Sequence, residues 1–228
     1  SDVYKRQIYD KDFTVIMGNS GSGKSTLLYM LSGLDNMTSG KIFLDNTEIG
    51  RLKEKEMTKI RRNKIGFVFQ SVNLVPNLSV LENVTVPGYL VNKNKKEVEK
   101  RAKKLLNAMG LEKELNRGAS HISGGQQQRA AIARGLINNP SILFADEPTG
   151  ALNSKAGQQV LDVLSDVNKK GQTIVMVTHD IMAAVRADRI LFLRDGVIDG
   201  TLEMKKYSNV NHEERERKVF EFIKEMGW

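Results

Sequence analysis

A phosphate-binding loop near the start of the chain constrains its fold more than any other feature. The segment GNSGSGKST, residues 18–26, fits the pattern G-x-x-x-x-G-K-[ST]. It follows the apolar run FTVIM and precedes TLLYMLSGL, which has the pattern of a helix. Because the motif requires a buried strand, a glycine-rich turn and a helix in that order, the sequence predicts an α/β fold of the phosphate-loop class.

The residue types in this loop suit a nucleoside triphosphate. Glycines let successive backbone N–H groups point at phosphate oxygens, and the following helix presents the positive end of its dipole. Lys24 would contact the β- and γ-phosphates, Ser25 would bind Mg²⁺, and the Thr26 hydroxyl would reach the α-phosphate. The residues expected to bind the nucleotide here are Gly18, Asn19, Ser20, Gly21, Ser22, Gly23, Lys24, Ser25 and Thr26.

Two carboxylates end a second apolar run, ILFADE, at residues 142–147. Side chains alternate along a strand, so Asp146 and Glu147 are expected to point in different directions. Asp146 would then hold Mg²⁺, and Glu147 would face the attacking water as a general base. The simpler alternative, an acidic pair that only caps a strand, is disfavoured by the phosphate loop.

Two weaker signals are single polar residues at the ends of apolar runs. Gln70 ends the run IGFVFQ, and its neutral amide would contact both metal and water. His179 follows TIVMV and would donate a hydrogen bond to the γ-phosphate. Such residues are more often structural than catalytic, so both assignments depend on the wider pattern.

Short apolar runs predict the rest of the architecture. Runs at 141–145, 173–177 and 190–193 predict strands, with an amphipathic helix around 160–167. This alternation indicates right-handed β-α-β units and a mostly parallel sheet that is buried on both faces. The other predicted elements are short strands at 41–44 and 65–69, a helix at 96–109 capped by Gly110, and a helix from 212 onward.

Charge and composition narrow the possible functions. The formal charge of +8 would suit nucleic acid, anionic lipid or nucleotide as a partner. Much of the excess lies at residues 93–104, where lysines alternate with Glu97 and Glu99 and no aromatic residues intervene, as on a solvated helix face. The sequence contains no cysteine, which excludes disulfides and thiolate metal sites. Its apolar runs are much shorter than a membrane-spanning helix.

The first seven residues are a separate case. SDVYKRQ, residues 1–7, resembles the translation of a sequencing adapter, so it is left out of the fold prediction. The alternative is a genuine strand. On the adapter interpretation, the native start is missing and the domain is truncated at its N-terminus.

A second motif, ISGGQQQR at residues 122–129, makes the phosphate loop more specific. A serine and paired glycines at the start of a helix supply a hydroxyl, exposed amides and a helix dipole for an anion. Six motifs follow one another in a recognisable order: GNSGSGKST, FVFQ, ISGGQ, ILFADE, GALN and VTHD. This series resembles the ATP-binding cassette family, and the resemblance covers residues 8–202.

The resemblance implies a RecA-like core with an inserted α-helical lobe. An ATPase domain is expected over residues 8–203, with the lobe at about 71–135 and a helical tail over 204–228. In this family each ATP lies between one phosphate loop and the signature of a second subunit, so a homodimer is expected. The implied cofactors are ATP and Mg²⁺. The implied residues are Ser123, Gly124, Gly125 and Gln126 for the partner's ATP, Ser25, Gln70 and Asp146 for the metal, and Glu147, His179 and Gln70 for catalysis.

The resemblance also implies a membrane partner. Residues 71–84 look like the surface that receives a coupling helix of a permease at the cytoplasmic face of the cell membrane, although their apolar residues could instead be lobe core. Among family members, the chain is similar to ATPases of lipoprotein-release, macrolide-export and bacitracin-type antimicrobial-peptide systems, the last fitting best. A signalling ATPase that moves no solute is an alternative. A DNA-associated cassette is disfavoured because no long coiled coil separates the loop from the signature, and no nucleic-acid partner is expected.

Two positions depart from the usual family pattern. Ile122 replaces the commoner Leu, and Asn153 stands where Asp is usual. Asn keeps the hydrogen-bonding shape and loses the charge, which bears on communication between the two sites and not on hydrolysis. The aromatic residue that stacks on adenine is expected upstream of the present start, so neither Tyr4 nor Tyr9 is assigned that role.

Overall fold

The chain forms a central sheet covered by helices, and the computed structural model describes residues 6–228. Most of the predicted adapter segment, residues 1–7, and Tyr4 therefore lie outside the described residues. The strands are β1 (Phe13–Met17), β2 (Phe43–Leu44), β3 (Thr47–Glu48), β4 (Ile65–Val68), β5 (Ile142–Asp146), β6 (Thr173–Val177), β7 (Arg189–Arg194) and β8 (Val197–Glu203). The α-helices are α1 (Lys24–Leu31), α2 (Glu54–Lys64), α3 (Val80–Tyr89), α4 (Lys95–Ala108), α5 (Gly124–Leu136), α6 (Ser154–Lys169), α7 (Ile181–Ala184) and α8 (His212–Glu225).

Within residues 6–228, the main sheet has six strands in the order β4-β5-β6-β1-β7-β8. Its first five strands are parallel, and β8 runs antiparallel to β7 at one edge. The predicted mostly parallel α/β sheet is thus confirmed. Parallel strands bring their carboxyl ends to one edge, so the residues that follow β1, β4, β5 and β6 meet there.

Both faces of the sheet are buried, which explains why its strands are continuous apolar runs. In β1, Val15 and Met17 pack into one hydrophobic cluster and Ile16 packs into the other. Leu28 of α1 belongs to the second cluster, while α5, α6 and α8 contribute to the first. The alternation of strand side chains therefore supplies two cores at once.

Helices α3, α4 and α5 pack together as a helical lobe. In α4 the apolar stripe predicted from the sequence is buried at Val98, Ala102 and Leu106. Gly110 follows α4 with a φ of +67°, and its N–H donates to Asn107 O at 2.9 Å, as expected of a C-terminal cap. Because α5 also contacts β4 and α6, this helix joins the lobe to the sheet.

Some short elements differ from their predicted bounds. The predicted strand at 41–44 pairs only over β2, which forms a two-stranded hairpin with β3 through a turn containing Asp45, at a φ of +52°. The strand predicted at 65–69 ends at Val68, so Phe69 already belongs to the following loop. Within residues 6–228, no helix combines the length and the apolar character that crossing a bilayer requires.

The C-terminal helix α8 packs on the body of the domain. Val219, Phe222 and Ile223 are buried in the larger core, and the Phe222 ring lies edge-on to Phe192 with centroids 6.5 Å apart. Arg215 is only 3% exposed. Its guanidinium donates to the carbonyls of Val185, Ala187 and Lys205, and therefore ties α8 to the segments around α7 and after β8.

Arg215→Ala is expected to lower the free energy of unfolding by about 2–4 kcal/mol, because it leaves buried carbonyls without donors. Urea unfolding of the full chain measures this change. Arg217→Ala is the matched control, since Arg217 lies on the same helix and is exposed. Equal losses for the two variants would contradict a structural role for Arg215.

Candidate functional site

The phosphate loop joins β1 to α1 in a conformation that needs its glycines. Gly18, Gly21 and Gly23 have φ values of +149°, +80° and +94°. A Cβ at Gly18 would lie 2.1 Å from Leu193 O, so a larger residue cannot fit there without moving β7. The Gly196 N–H donates to Ser22 O at 3.0 Å, which fixes the loop to the turn between β7 and β8.

The polar groups of this loop are arranged for an anion. Lys24 Nζ donates to Gly18 O and Asn19 O, each at 2.9 Å, so the ammonium lies directly over the loop. No side chain caps the first turn of α1, and its N–H groups face the loop. Ser22 Oγ is buried without a hydrogen-bond partner. The loop thus combines a cation, a helix N-terminus and unused polar atoms, which together suit a phosphate chain. The other predicted binders, Ser20 and Thr26, are exposed.

Asp146, at the end of β5, is held by two residues of α1. Ser25 Oγ donates to Asp146 Oδ1 at 2.9 Å, and the Tyr29 hydroxyl donates to Asp146 Oδ2 at 2.7 Å. The hydrogen bond to Asp146, followed by burial and the negative charge of Asp146, raises the pKa of Tyr29 to about 12. The phenol is therefore a neutral donor at physiological pH.

The donors at this corner fit Mg²⁺. A hydroxyl and a carboxylate are hard oxygen ligands, and Mg²⁺ in nucleotide sites binds one or two protein oxygens together with substrate phosphates. Among residues 6–228, no three His, Cys, Asp or Glu side chains converge as a cage that would hold a metal alone. Ser25 and Asp146 are thus suited to a metal that arrives with a phosphate ligand.

Glu147 departs from the strand geometry that the sequence suggests. Its φ is +44° and β5 ends at Asp146, so the direction of the Glu147 side chain is set by a left-handed backbone and not by continued alternation along β5. The Glu147 N–H still donates to Val177 O at 2.9 Å. Glu147 Oε2 is buried and has no hydrogen-bond partner, which leaves one carboxylate oxygen able to accept a proton.

His179 lies against Glu147. The His179 Nδ1 is 2.9 Å from Glu147 Oε1, whereas the sequence pattern predicts a contact with the γ-phosphate. In a neutral ring, a proton on Nδ1 leaves the other nitrogen as an acceptor, so donation to a phosphate would require a protonated ring or release from Glu147. In this state His179 orients the carboxylate.

Gln70 follows β4 and lies beside the loop after Glu147. A Cβ at Gly150 would lie 2.9 Å from Gln70 Nε2 and 3.5 Å from Glu147 Cβ. Gln70 is exposed. The strand order therefore brings Gln70 to the same edge as Asp146, Glu147 and His179.

Two residues of α5, missed in the sequence analysis, hold the segment around Gln70. Gln128 Nε2 donates to Phe69 O at 3.1 Å. Arg134 donates to Val72 O at 2.8 Å and to Asn73 O at 2.5 Å. Burial lowers the pKa of Arg134 from its ordinary value. The only sequence signal for these contacts is the presence of long polar side chains on an otherwise apolar helix.

The signature residues form the start of α5. Ser123 is the N-cap: the Gln126 N–H donates to Ser123 Oγ at 3.3 Å, and the Ser123 N–H donates to Gln126 Oε1 at 2.8 Å. Ser123 and Gly124 are exposed, and Gly125 is buried against α6, where a Cβ would lie 3.0 Å from Ala156 Cβ. In the described part of the chain, no hydrogen bond joins Ser123–Gln126 to the phosphate loop of the same chain.

Asn153 caps the neighbouring helix α6. Its side chain accepts a hydrogen bond from the Ala156 N–H at 2.9 Å. Asn keeps the capping oxygen that Asp would supply and removes one negative charge next to the signature.

Comparison with known proteins places this arrangement among cassette proteins. The family described as "ABC transporter" matches residues 3–150. An uncharacterized ABC transporter ATP-binding protein of Methanocaldococcus jannaschii is 44% identical over 207 residues, covering 89% of this chain and 88% of the relative. The lipoprotein-releasing system ATP-binding protein LolD of Aquifex aeolicus is 48% identical over 191 residues, covering 84% of this chain and 85% of LolD.

A longer relative and two solved structures extend the comparison. The macrolide export ATP-binding/permease protein MacB of Campylobacter jejuni is 46% identical over 187 residues, but the match covers only 29% of MacB and 82% of this chain. A dimeric structure of a bacterial ABC transporter cassette is similar with a TM-score of 0.81 and 44% identity, covering 89% of each chain. A dimeric post-hydrolysis structure with bound ADP and Pi has a TM-score of 0.80.

Proposed function

The chain belongs to the ABC transporter family of ATP-binding proteins and is an ATPase, and on that premise we propose that two copies of it drive a membrane permease. One observation carries the assignment of its active site. The neighbouring strands β5, β6 and β1 end at one edge of the sheet. The phosphate loop with Lys24, the Ser25–Asp146 pair and the Glu147–His179 pair all lie at that edge.

The residues of this edge divide the reaction among them. Lys24 and the backbone of residues 18–26 bind the phosphates, while Ser25, Asp146 and Gln70 would hold Mg²⁺. When bound, Mg²⁺ neutralises charge on the β- and γ-phosphate oxygens. Glu147 Oε2 takes a proton from water as the water oxygen bonds to the γ-phosphorus, and the bond from that phosphorus to the bridging oxygen breaks to release ADP. His179 orients Glu147 through Nδ1.

The second half of each site would come from another copy of the chain. Ser123 and Gly124 are exposed at the N-terminus of α5, where N–H groups and the helix dipole favour an anion. They make no hydrogen bond to the phosphate loop of their own chain within residues 6–228. The dimeric assembly of the similar cassette structures supports a homodimer in which Ser123, Gly124, Gly125 and Gln126 serve the partner's ATP.

The helical lobe offers a surface for a permease. Val80 and Val84 from the predicted docking segment are buried as lobe core, whereas Val75 is 50% exposed. Nearby on α3 and just after it, Val86 and Leu90 are also exposed. We call Val75, Val86 and Leu90 the lobe patch. Segment 71–84 therefore supplies both lobe core and, at Val75, exposed surface, and the lobe patch, which extends beyond this segment to Val86 and Leu90, is available to a permease at the cytoplasmic face of the membrane.

For the transported substrate we propose an antimicrobial peptide, exported or removed for resistance. The support is the sequence resemblance of GQTIVMVTHDIMAAVRADRILFLRDGVI and the tail EFIKEMGW to bacitracin-type ATPases. Lipoprotein release is the second candidate, and the 48% identity to LolD favours it. Macrolide export is a further candidate, favoured by the similarity to MacB. A signalling complex that moves no solute would differ by showing peptide-dependent ATPase activity without transport.

In vesicles that contain the permease with which this chain assembles, an antimicrobial peptide of the bacitracin type is expected to raise the rate of ATP hydrolysis severalfold. Leu90→Asp should lose this stimulation, because it places a charge in the lobe patch. Val197→Asp is the matched control, since Val197 is exposed on the distant edge strand β8. Stimulation by a lipoprotein or a macrolide in place of the peptide would overturn the peptide assignment.

A further inference from the structure

Tyr29 lies in the site, but no motif assigns it a role. Ser25 and Tyr29 are four residues apart on α1 and therefore share one face of the helix. Ser25 donates to Oδ1 of Asp146 at 2.9 Å, and Tyr29 donates to Oδ2 at 2.7 Å. One face of one helix thus holds both oxygens of a single carboxylate that is 6% exposed.

Aromatic packing fixes the Tyr29 ring. Its centroid is 5.9 Å from that of Phe67 on β4. Phe67 in turn lies 4.3 Å from Phe69 and 6.4 Å from Phe144, between centroids. Because Phe144 is two residues before Asp146 on β5, the same aromatic group supports both the donor and the strand that carries the acceptor.

We propose that Tyr29 is a positioning residue that sets the orientation of Asp146 for Mg²⁺. This inference rests on the proposed nucleotide site. With Oδ2 fixed by the phenol, the carboxylate cannot rotate about its last bond, and Oδ1 stays directed at Ser25. A hydroxyl donor leaves the negative charge of Asp146 available to the metal, whereas a lysine or arginine at this position would compensate that charge.

Competition between the Tyr29 phenol and Mg²⁺ for Asp146 would have the opposite effect. If the phenol competed with the metal for Asp146, removing its hydroxyl would strengthen the binding of Mg²⁺. Positioning and competition therefore predict changes of opposite sign in the same measurement.

The test measures how Mg²⁺ changes the binding of a fluorescent, non-hydrolysable ATP analogue to the full chain. Tyr29→Phe is expected to raise the Mg²⁺ concentration at half-saturation by roughly tenfold, the scale seen when a residue that orients a metal ligand is lost. Binding of the analogue in EDTA should stay unchanged, since the phosphate loop is intact. A variant that did not fold would instead bind less analogue both with Mg²⁺ and in EDTA.

Tyr89→Phe is the matched control. Its hydroxyl donates to Glu99 Oε1 at 3.2 Å in the helical lobe, so the variant removes a similar tyrosine–carboxylate hydrogen bond away from the site. Tyr89→Phe should match the wild type in both conditions. If Tyr29→Phe is half-saturated at the same Mg²⁺ concentration as the wild type, or at a lower one, the positioning role is overturned and the proposed nucleotide site is not. A wild type that binds no analogue would overturn the proposed nucleotide site instead.

Discussion

Replacing Glu147 with glutamine is expected to slow ATP hydrolysis by roughly 10²–10⁴-fold, the usual effect of losing a general base. The variant keeps the size of the side chain and an oxygen or nitrogen for His179, but its amide cannot accept the proton from water. Oε2 is the atom concerned, because Oε1 is engaged by His179 while Oε2 is buried and without a partner. Phosphate release at saturating ATP measures the effect.

The same variant should still bind ATP and should accumulate as an ATP-bound dimer, because in the proposed dimer both chains bind ATP before Glu147 accepts a proton from water. Size-exclusion chromatography with and without ATP detects that dimer. Glu221→Gln, an exposed substitution on α8, makes the same chemical change outside the site and should behave as wild type. A normal hydrolysis rate in Glu147→Gln would show that another group accepts the proton.

Two inactive variants, Lys24→Ala and Ser123→Arg, are expected to regain ATP occlusion when they are mixed. Lys24→Ala loses the ammonium over the phosphate loop, and Ser123→Arg places a large side chain at the exposed start of α5. Each homodimer then has two damaged sites. A mixed dimer has one undamaged site, made by the loop of the Ser123→Arg chain and the signature of the Lys24→Ala chain.

The amount of occluded nucleotide distinguishes the two arrangements. If the signature serves the partner's ATP, the mixture should retain up to one ATP per mixed dimer, while each variant alone retains close to none. Rapid filtration with labelled ATP, in chains that also carry Glu147→Gln, gives this number. A mixture that stays as empty as its components would mean that loop and signature act within one chain.

The features that the sequence predicted are those with a local cause. The phosphate loop, β1 and α1 form one continuous motif, and two of the loop glycines with positive φ, Gly18 and Gly23, are residues that the pattern itself requires. The parallel sheet followed from short apolar runs that alternate with helices, because only a sheet buried on both faces needs strands without polar alternation. The same topology, which the sequence analysis did not carry as far as the site, brings the residues after β4, β5 and β6 to one edge, where Gln70, Asp146, Glu147 and His179 lie.

The features that the sequence did not predict depend on contacts between distant segments. The left-handed backbone at Glu147 occurs at a residue other than glycine, so the sequence gives no sign of it, and the contact with His179 joins residues that are 32 apart in the chain. Tyr29 and Asp146 are 117 residues apart, so the pair becomes visible only when α1 lies over β5. In the sequence, Arg215 is one of many charged residues of a predicted helix. In the structure, its buried guanidinium donates to three carbonyls from other segments.

Helix α5 holds the loop after β4 at two separate places. Gln128 and Arg134 donate hydrogen bonds to the backbone carbonyls of Phe69, Val72 and Asn73. The two donor residues lie nearly two helical turns apart on α5. Ser123 lies at the N-terminal end of the same helix, so α5 connects the signature with the loop that carries Gln70 and with α3 of the lobe. In the proposed dimer, α5 would therefore link the ATP bound by one subunit to the helical lobe of the other subunit, which carries the proposed permease surface.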